Sequence, residues 1–427
     1  MLDWLRGLHP FQTPETQRLA ILFAVVYFAQ GMWNLPLQTM TMVLKERGLS
    51  SADVADFLLL STIPWVIKPV YGLLSDFVPL FGRRRKSYFL LTSGLAAVAG
   101  FALVGAEHSY WRLAWLYTAM GLGLAFTDVL TDAVMVETGK PRGLTGAFQS
   151  VQWAAISVAT LVVGVVGGYL AHTRSLRRAF FAAACFPLLS FVLAAVFIRE
   201  VPARFDAAAL RATWTSIRQA AAGRDVWLVA GFIFFYNFSP SFGPAFLYYQ
   251  TDGLGFGQQF IGILGSVQAA TGIVGALIYA PLSRRVPLKR LIVVLIGAGV
   301  AAGLGYLLYQ GPRSAFVIDA LNGCVTMIVQ LALLDLAAKS CPKNAEGTFF
   351  ALLMSVFNAG GQLSTNLGGR LYDTLGFTPL VLISAGATAL AWLLVPFVRI
   401  DRIEAAARED AASIDASGPG DGVAAPA

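Results

Sequence analysis

The chain has 427 residues, 57% of them hydrophobic and only 13% charged, with a mean hydropathy of +0.66. Soluble domains carry roughly 25% charged residues, so the composition excludes a soluble globular protein and puts most of the chain in lipid. The net charge of +7 does not point to nucleic acid, because Lys and Arg cluster in short loops between apolar segments, and three Cys and three His in no ligand spacing support neither a metal site, a cofactor nor a disulfide framework.

Residues 1–17 lack an apolar core and read as a cytoplasmic N-terminal segment rather than a cleavable signal. A spanning helix needs about 20 apolar residues. That pattern predicts an all-α integral membrane protein with twelve spans, at 18–44, 52–75, 87–107, 112–137, 143–172, 177–199, 226–250, 257–283, 287–310, 313–338, 346–372 and 376–399. The domains follow: a six-helix bundle over 18–199, a polar cytoplasmic linker over 200–224, a second six-helix bundle over 225–400, and a disordered cytoplasmic tail over 401–427.

On the first span Gln30, Asn34 and Gln38 recur every four residues, a polar stripe that a lipid-facing helix would not keep. The second holds Lys68, flanked by Pro64 and Pro69. An ammonium at membrane depth costs about 2.5–3.5 kcal/mol by insertion scales, so it faces an opposite charge, a wet cavity or an anionic ligand. Asp76 and the basic run Arg83, Arg84, Arg85 and Lys86 follow, a basic loop that sets which way the helix points.

Asp128 and Asp132 share one face of the fourth span, with Glu137 near its end. Lys68 lies eight residues above Asp76, and Asp128 nine above Glu137, so their depths nearly match. Two readings stand: a charge pair that latches helices, or a proton-coupling carboxylate at Asp128 or Asp132. Gln149, Gln152 and Trp153 on the fifth span suit a flat heteroaromatic ring, by hydrogen bonding and stacking. In the seventh, Asn237, Ser239 and Ser241 sit beside Pro240 and Pro244, where a broken helix would line a cavity. For each amide taken singly, interhelical hydrogen bonding is the plainer role. Asp319 and Asp335, near the two ends of the tenth span, are read as capping or facing water, and Tyr248 and Tyr249 as interface anchors.

An even helix count puts both termini on one side. That side carries Arg83 to Lys86, Lys140, Arg142, the linker arginines, Lys289, Arg290 and Lys339, against Lys45, Arg47, Arg112, Arg174, Arg177, Arg178, Arg313 and Arg370 on the other. The richer side is cytoplasmic, in the cell (inner or plasma) membrane. The halves echo each other: Ser75, Val78, Pro79 and Leu80 recur 208 positions later as Ser283, Val286, Pro287 and Leu288. Gly146, Phe148, Gly167, Gly168 and Leu170 recur 201 positions later as Gly347, Phe349, Gly368, Gly369 and Leu371. A parallel duplication of six helices explains both.

The second-span segment Pro64-Trp65-Val66-Ile67-Lys68-Pro69, with Tyr71-Gly72, Ser75-Asp76, Pro79-Leu80, Arg84-Arg85 and Ser87-Tyr88, resembles the folate–biopterin transporter family of the major facilitator superfamily. So do Tyr27-Phe28-Ala29-Gln30-Gly31, Asp128-Val129 with Asp132 to Glu137, Gln149-Ser150 with Trp153, Pro240-Ser241, and Glu346-Gly347-Thr348 with Ala351 to Ser355 and Asn358. Thr138-Gly139-Lys140 departs from the more arginine-rich run expected there. The resemblance implies the major facilitator fold and a secondary transporter working by alternating access. Its cargo would be folate- or pterin-like small molecules, with protons as candidate symported ions and the lipid bilayer as the surrounding medium. It adds Asn358 to the substrate-facing residues and gives Asp76 and the Arg83–Arg85 run a gating role. No phosphate-binding loop of the G-x4-G-K-[ST] type occurs, and no nucleophile–base cluster suggests an enzyme. Two alternatives stay open: the same fold carrying another amphipathic anion, such as a peptidoglycan fragment or drug, and a membrane sensor.

Overall fold

The computed structural model describes residues 11, 13–106, 109–139, 144–200, 223–341 and 346–406, with 211, 214, 215 and 218 in the linker. Lys140, Arg142, most of the linker and positions 407–427 lie outside the described residues.

Every predicted span is occupied by helix. The first is two helices, α1 (Pro14–Met32) and α2 (Leu37–Glu46), and the second is α3 (Ser51–Val66) and α4 (Lys68–Phe77). The rest of the first half is α5 (Lys86–Gly105), α6 (Tyr110–Gly139), α7 (Thr145–His172) and α8 (Leu176–Phe197). The seventh span is α9 (Arg224–Asn237) and α10 (Gly243–Tyr248), followed by a π-helical turn over Tyr249–Gly253. The second half continues with α11 (Gln258–Arg285), α12 (Leu288–Gly305), α13 (Pro312–Lys339), α14 (Glu346–Leu375) and α15 (Phe377–Leu394). Among the described residues ten helical segments are long and apolar enough to cross a membrane. The seventh and eleventh spans are not among those ten: the seventh is cut at 238–242, and the apolar run of the continuous helix α14 is broken by Asn358, Gln362, Asn366 and Arg370.

Local chemistry sets the boundaries. Thr13 and Ser50 form capping boxes with Thr16 and Asp53, starting α1 and α3. Pro36 has no amide hydrogen to continue α1, and Pro69 biases Ile67-Lys68 away from helix, so both spans break at mid-depth. The freed carbonyls are met by side chains, as a membrane interior requires: Tyr117 donates to Trp33 (2.9 Å) and Asn358 to Trp65 (3.4 Å), while Ser364 donates to Ser239 in the third break.

The third helix of each half begins against an acidic side chain. Glu200 accepts from the backbone N–H groups of Arg84, Arg85 and Lys86 at the start of α5. Glu404 accepts from Leu288 N–H at the start of α12 (3.1 Å). This corrects the tail reading: residues 401–406 are helical with Ile403 buried, because the second half needs the same acidic cap as the first.

The halves meet where α7 lies on α11 and α3 on α14. Glycines permit the first contact: a Cβ on Gly262 would stand 2.2 Å from the Gly164 carbonyl, and one on Gly168 2.9 Å from the Gly262 Cα. Hydrogen bonds and ion pairs then latch the end opposite the basic loops, called the far end below. Asp373 accepts from Ser51 Oγ (2.7 Å) and Ala52 N–H (2.9 Å), Arg370 pairs with Asp56 (2.8 Å), and Lys45 reaches Thr251 and Asp252, each at 2.5 Å. Tyr248 donates to Leu49 O at 2.6 Å. Gly262→Leu should therefore force the halves apart at this end. Spin labels on Thr173→Cys in one half and Thr374→Cys in the other should then sit farther apart than without it, and an unchanged distance would refute the packing.

Candidate functional site

The first and second breaks come together at Trp33 and Trp65, where polar side chains gather. Lys68, the first residue of α4, places Nζ 2.7 Å from Asp128 Oδ2 and 4.7 Å from the centroid of the Trp65 ring. Asp128 is 3% exposed and belongs to α6. One turn on, Asp132 accepts from Tyr27 OH at 2.6 Å and, more weakly, from Gln152 Nε2 at 3.3 Å. Two carboxylates on one helical face thus have different partners, a cation for Asp128 and neutral donors for Asp132. Trp33 stacks on Tyr117 (4.8 Å) and lies against Trp65 (5.6 Å), an aromatic wall beside the pair.

The exposure of α7 shows what this wall borders. Val158, Val165 and Tyr169 form one exposed face, suited to lipid, whereas Gln149, Trp153 and Thr160 form another about a third of a turn or more away. Asn34, in the first break, is also exposed. Exposed amides, a hydroxyl and an indole at span depth mark a polar space between the halves rather than lipid. Gln30 Oε1 and Gln362 Nε2 are buried without a hydrogen-bond partner, unmet polar groups of the kind a ligand or water satisfies.

The other expected site residues divide. Gln38 spans the halves, donating to the carbonyl and side chain of Gln258 (2.9 and 3.0 Å), so it serves the latch. Asn237 donates to Ile233 O in its own helix (2.8 Å), and Ser241 bonds Thr365 across to α14 (3.1 Å). Asn358 holds the break at Trp65. Tyr27, Gln152 and Trp65 carry more of the site than expected. A phenol and an amide at the depth of Asp132 were the available signal.

At the basic end Arg85 is the clasp. Its guanidinium pairs with Asp76 and with Glu137 (2.7 Å) and donates to Ser75 Oγ (2.8 Å). Arg83 and Arg84 are exposed, and only the backbone of Arg84 joins the network, through Glu200. Of the three arginines expected to gate, Arg85 is the one whose side chain lies buried in these pairs, at 7% exposure. Arg85→Ala should unclasp α4 from α6, seen as faster trypsin cleavage in the Asp76–Lys86 loop; protection equal to wild type would count against the clasp.

Comparison with known proteins agrees. The BT1 family model matches residues 28–395. The chain belongs to the BT1 family. A protein of Synechocystis sp. called a folate-biopterin transporter is 36% identical, aligned over 86% of this chain and 76% of its own length. Folate transporter 2 of Plasmodium falciparum is 23% identical over 80% and 77%. Among solved structures, a variant of the nucleoside transporter NupG superposes with a TM-score of 0.72 at 12% identity, covering 90% of this chain and 99% of that one. A D-xylose-proton symporter gives 0.68 at 14%, over 90% and 98%. This BT1 member is a multi-pass integral membrane protein of the major facilitator fold, a secondary transporter and not an enzyme.

Proposed function

We propose that the chain takes up folate- or pterin-like anions by alternating access, coupled to protons, with Lys68 meeting the anionic part of the cargo. The observation that carries this is the Lys68–Asp128 pair at the break between α3 and α4, beside Trp65 and the polar space between the halves. Lys68 is 16% exposed, enough to be reached from that space. The N-terminus of α4 adds partial positive charge at the same point. Aromatic and amide groups at Trp153, Gln149 and Asn34 suit a flat ring with donor and acceptor edges. The names of the Synechocystis and Plasmodium relatives support the cargo class. Counterflow in proteoliposomes tests it: labelled folate or pterin should exchange through the protein and be outcompeted by unlabelled compound, but not by unrelated anions. No exchange with any member of a folate and pterin panel would remove the cargo and leave the fold.

On the charge of the basic loops, we place the Asp76–Lys86 end on the cytoplasmic side of the cell membrane and the latched end outside. Arg84 and Arg290 are both exposed. Cysteine at either position should resist an impermeant thiol reagent in intact cells and react after lysis. External labelling of both would invert the topology.

A further inference from the structure

Asp319 lies in the second half, far from the Lys68 site in sequence and in the opposite bundle. The expectation that it caps a helix or faces water is wrong: it is 4% exposed, in an aromatic cluster with Phe246, Phe256 and Phe377. Its Oδ2 accepts from Tyr309 OH at 2.8 Å and its Oδ1 from Tyr306 OH at 3.3 Å. Those phenols are the titratable groups that face it, Tyr249 standing one step further out with its OH on Tyr309 O (3.1 Å). On its own helix Arg313 is exposed, nearer the far end. A buried carboxylate held by neutral donors alone is one whose charge can be removed by a proton without breaking an ion pair.

The same phenol connects the acid to the latch. Tyr309 OH accepts from Gln250 Nε2 at 2.8 Å, and Gln250 belongs to the π-helical turn Tyr249–Gly253. Two residues of that turn, Thr251 and Asp252, hold Lys45 of the first half. Tyr249 itself stacks on Phe377 at 3.8 Å, so it is part of this assembly rather than a membrane-interface anchor. The chain of contacts runs from a buried acid, through one phenol and one amide, to an ion pair joining the halves.

We propose that Asp319 is a proton-binding site of the second half, and that its protonation loosens the far-end latch. With the carboxylate ionised, Tyr309 donates to it and keeps its own oxygen free to accept from Gln250, as observed. A proton on Oδ2 must itself be donated, and Tyr309 oxygen is the nearest acceptor. The phenol hydrogen then turns away, Gln250 competes for the same oxygen, and the turn bearing Thr251 and Asp252 loses its tether. Asp319 lies seven residues from the start of α13 at the far end, about 10 Å along the helix, so the proton comes from the aqueous phase on that side. An acidic exterior would thereby favour opening of the side it acidifies.

The proposal rests on alternating access, and its test needs no cargo. Spin labels on Thr173→Cys and Thr374→Cys, with Cys185, Cys324 and Cys341 replaced by Ala, report the far-end distance in lipid nanodiscs. From about pH 8 to about pH 5 the ratio of long to short distances should rise about fivefold, the change expected from losing one neutral hydrogen bond. Asp319→Asn should show the long distance at both pH values, while Asp335→Asn, near the other end of the same helix, keeps the wild-type response. Infrared difference spectra across the same range should contain a protonated-carboxyl band that Asp319→Asn removes. Tyr309→Phe should retain that band yet hold the long distance throughout, which keeps the proposal testable if Asp319→Asn fails to fold. A pH response that survives in Asp319→Asn, or that is absent from wild type, overturns it. Failure to exchange folate or pterin would strike the proposed cargo alone.

Discussion

Lys68→Ala should reduce folate or pterin exchange by at least about a hundredfold and lower the thermal stability of the purified protein, because it strands Asp128. Removing one member of a buried ion pair costs about 3–5 kcal/mol, mostly from leaving the other charge unpaired. Asp128 is the member left behind, 3% exposed and paired with no other cation among the described residues. The structure makes the rescue specific. Lys68→Ala with Asp128→Asn should regain most of the stability, since an amide leaves no charge behind, whereas Lys68→Ala with Asp132→Asn should not. Exchange should remain low in both double variants if the ammonium itself meets the anion. Recovery of exchange along with stability would make Lys68 a latch alone. Equal stability of the two double variants would show that the pairing is not with Asp128 in particular. Lys68→Arg keeps the charge but spreads it over a planar fork, so stability should be largely retained while exchange still falls.

Much of this site was legible because depth in a membrane can be counted in residues. Lys68 stands eight residues from Asp76 and Asp128 nine from Glu137, and both cross-pairs form: Lys68 with Asp128, and Arg85 bridging Asp76 to Glu137. The count could not choose between Asp128 and Asp132, since one helical turn separates them and both face the same way. That choice is made by Tyr27 and Gln152, which occupy Asp132 from two other helices. Partners contributed by packing leave no spacing signal in the chain.

The breaks show a second limit. Pro240 and Pro244 sit among Asn and Ser, so the break between α9 and α10 was expected. Those in the first and second spans were not, although Pro64 and Pro69 flank Lys68, because prolines are tolerated inside membrane helices. What decides is whether neighbours meet the freed carbonyls, and Tyr117, Asn358 and Ser364 do so from other helices. The fate of Gln38 is similar: its four-residue spacing from Asn34 suggested a common cavity face, but the Asn34–Pro36 break turns it into the interface with Gln258. Asp319 was misplaced because closeness to the helix end was read as exposure, while the covering rings come from α10, α15 and the segments just before α11 and just after α12.

Asp132→Asn should abolish the accumulation of cargo driven by a pH gradient while leaving counterflow intact. Moving one negative charge inward against the membrane potential costs about 2.3 kcal/mol per 100 mV. One co-transported proton per charge cancels that electrical term, and each unit of pH gradient adds about 1.4 kcal/mol. Of the two carboxylates on α6, Asp132 is the better carrier of that proton. Asp128 is bound to Lys68, so protonating it discards an ion pair, whereas Asp132 gives up only its bonds from Tyr27 and Gln152, with a second carboxylate one turn away. When an anion engages Lys68, the ammonium is drawn from Asp128, and the two neighbouring carboxylates then face each other with less compensation. Uptake of a proton by the pair relieves that repulsion and ties proton binding to cargo binding. Proteoliposomes with an acid exterior should therefore accumulate labelled cargo above the level at equal pH in wild type and not in Asp132→Asn. Tyr27→Phe, which removes the strongest donor to Asp132, should shift the pH at which stimulation is half-maximal without removing it. Asp128→Asn should behave differently, weakening cargo exchange itself by freeing Lys68 from its partner. Gradient-driven accumulation that persists undiminished in Asp132→Asn would move the coupling proton elsewhere, and loss of counterflow in that variant would make Asp132 part of the cargo site instead.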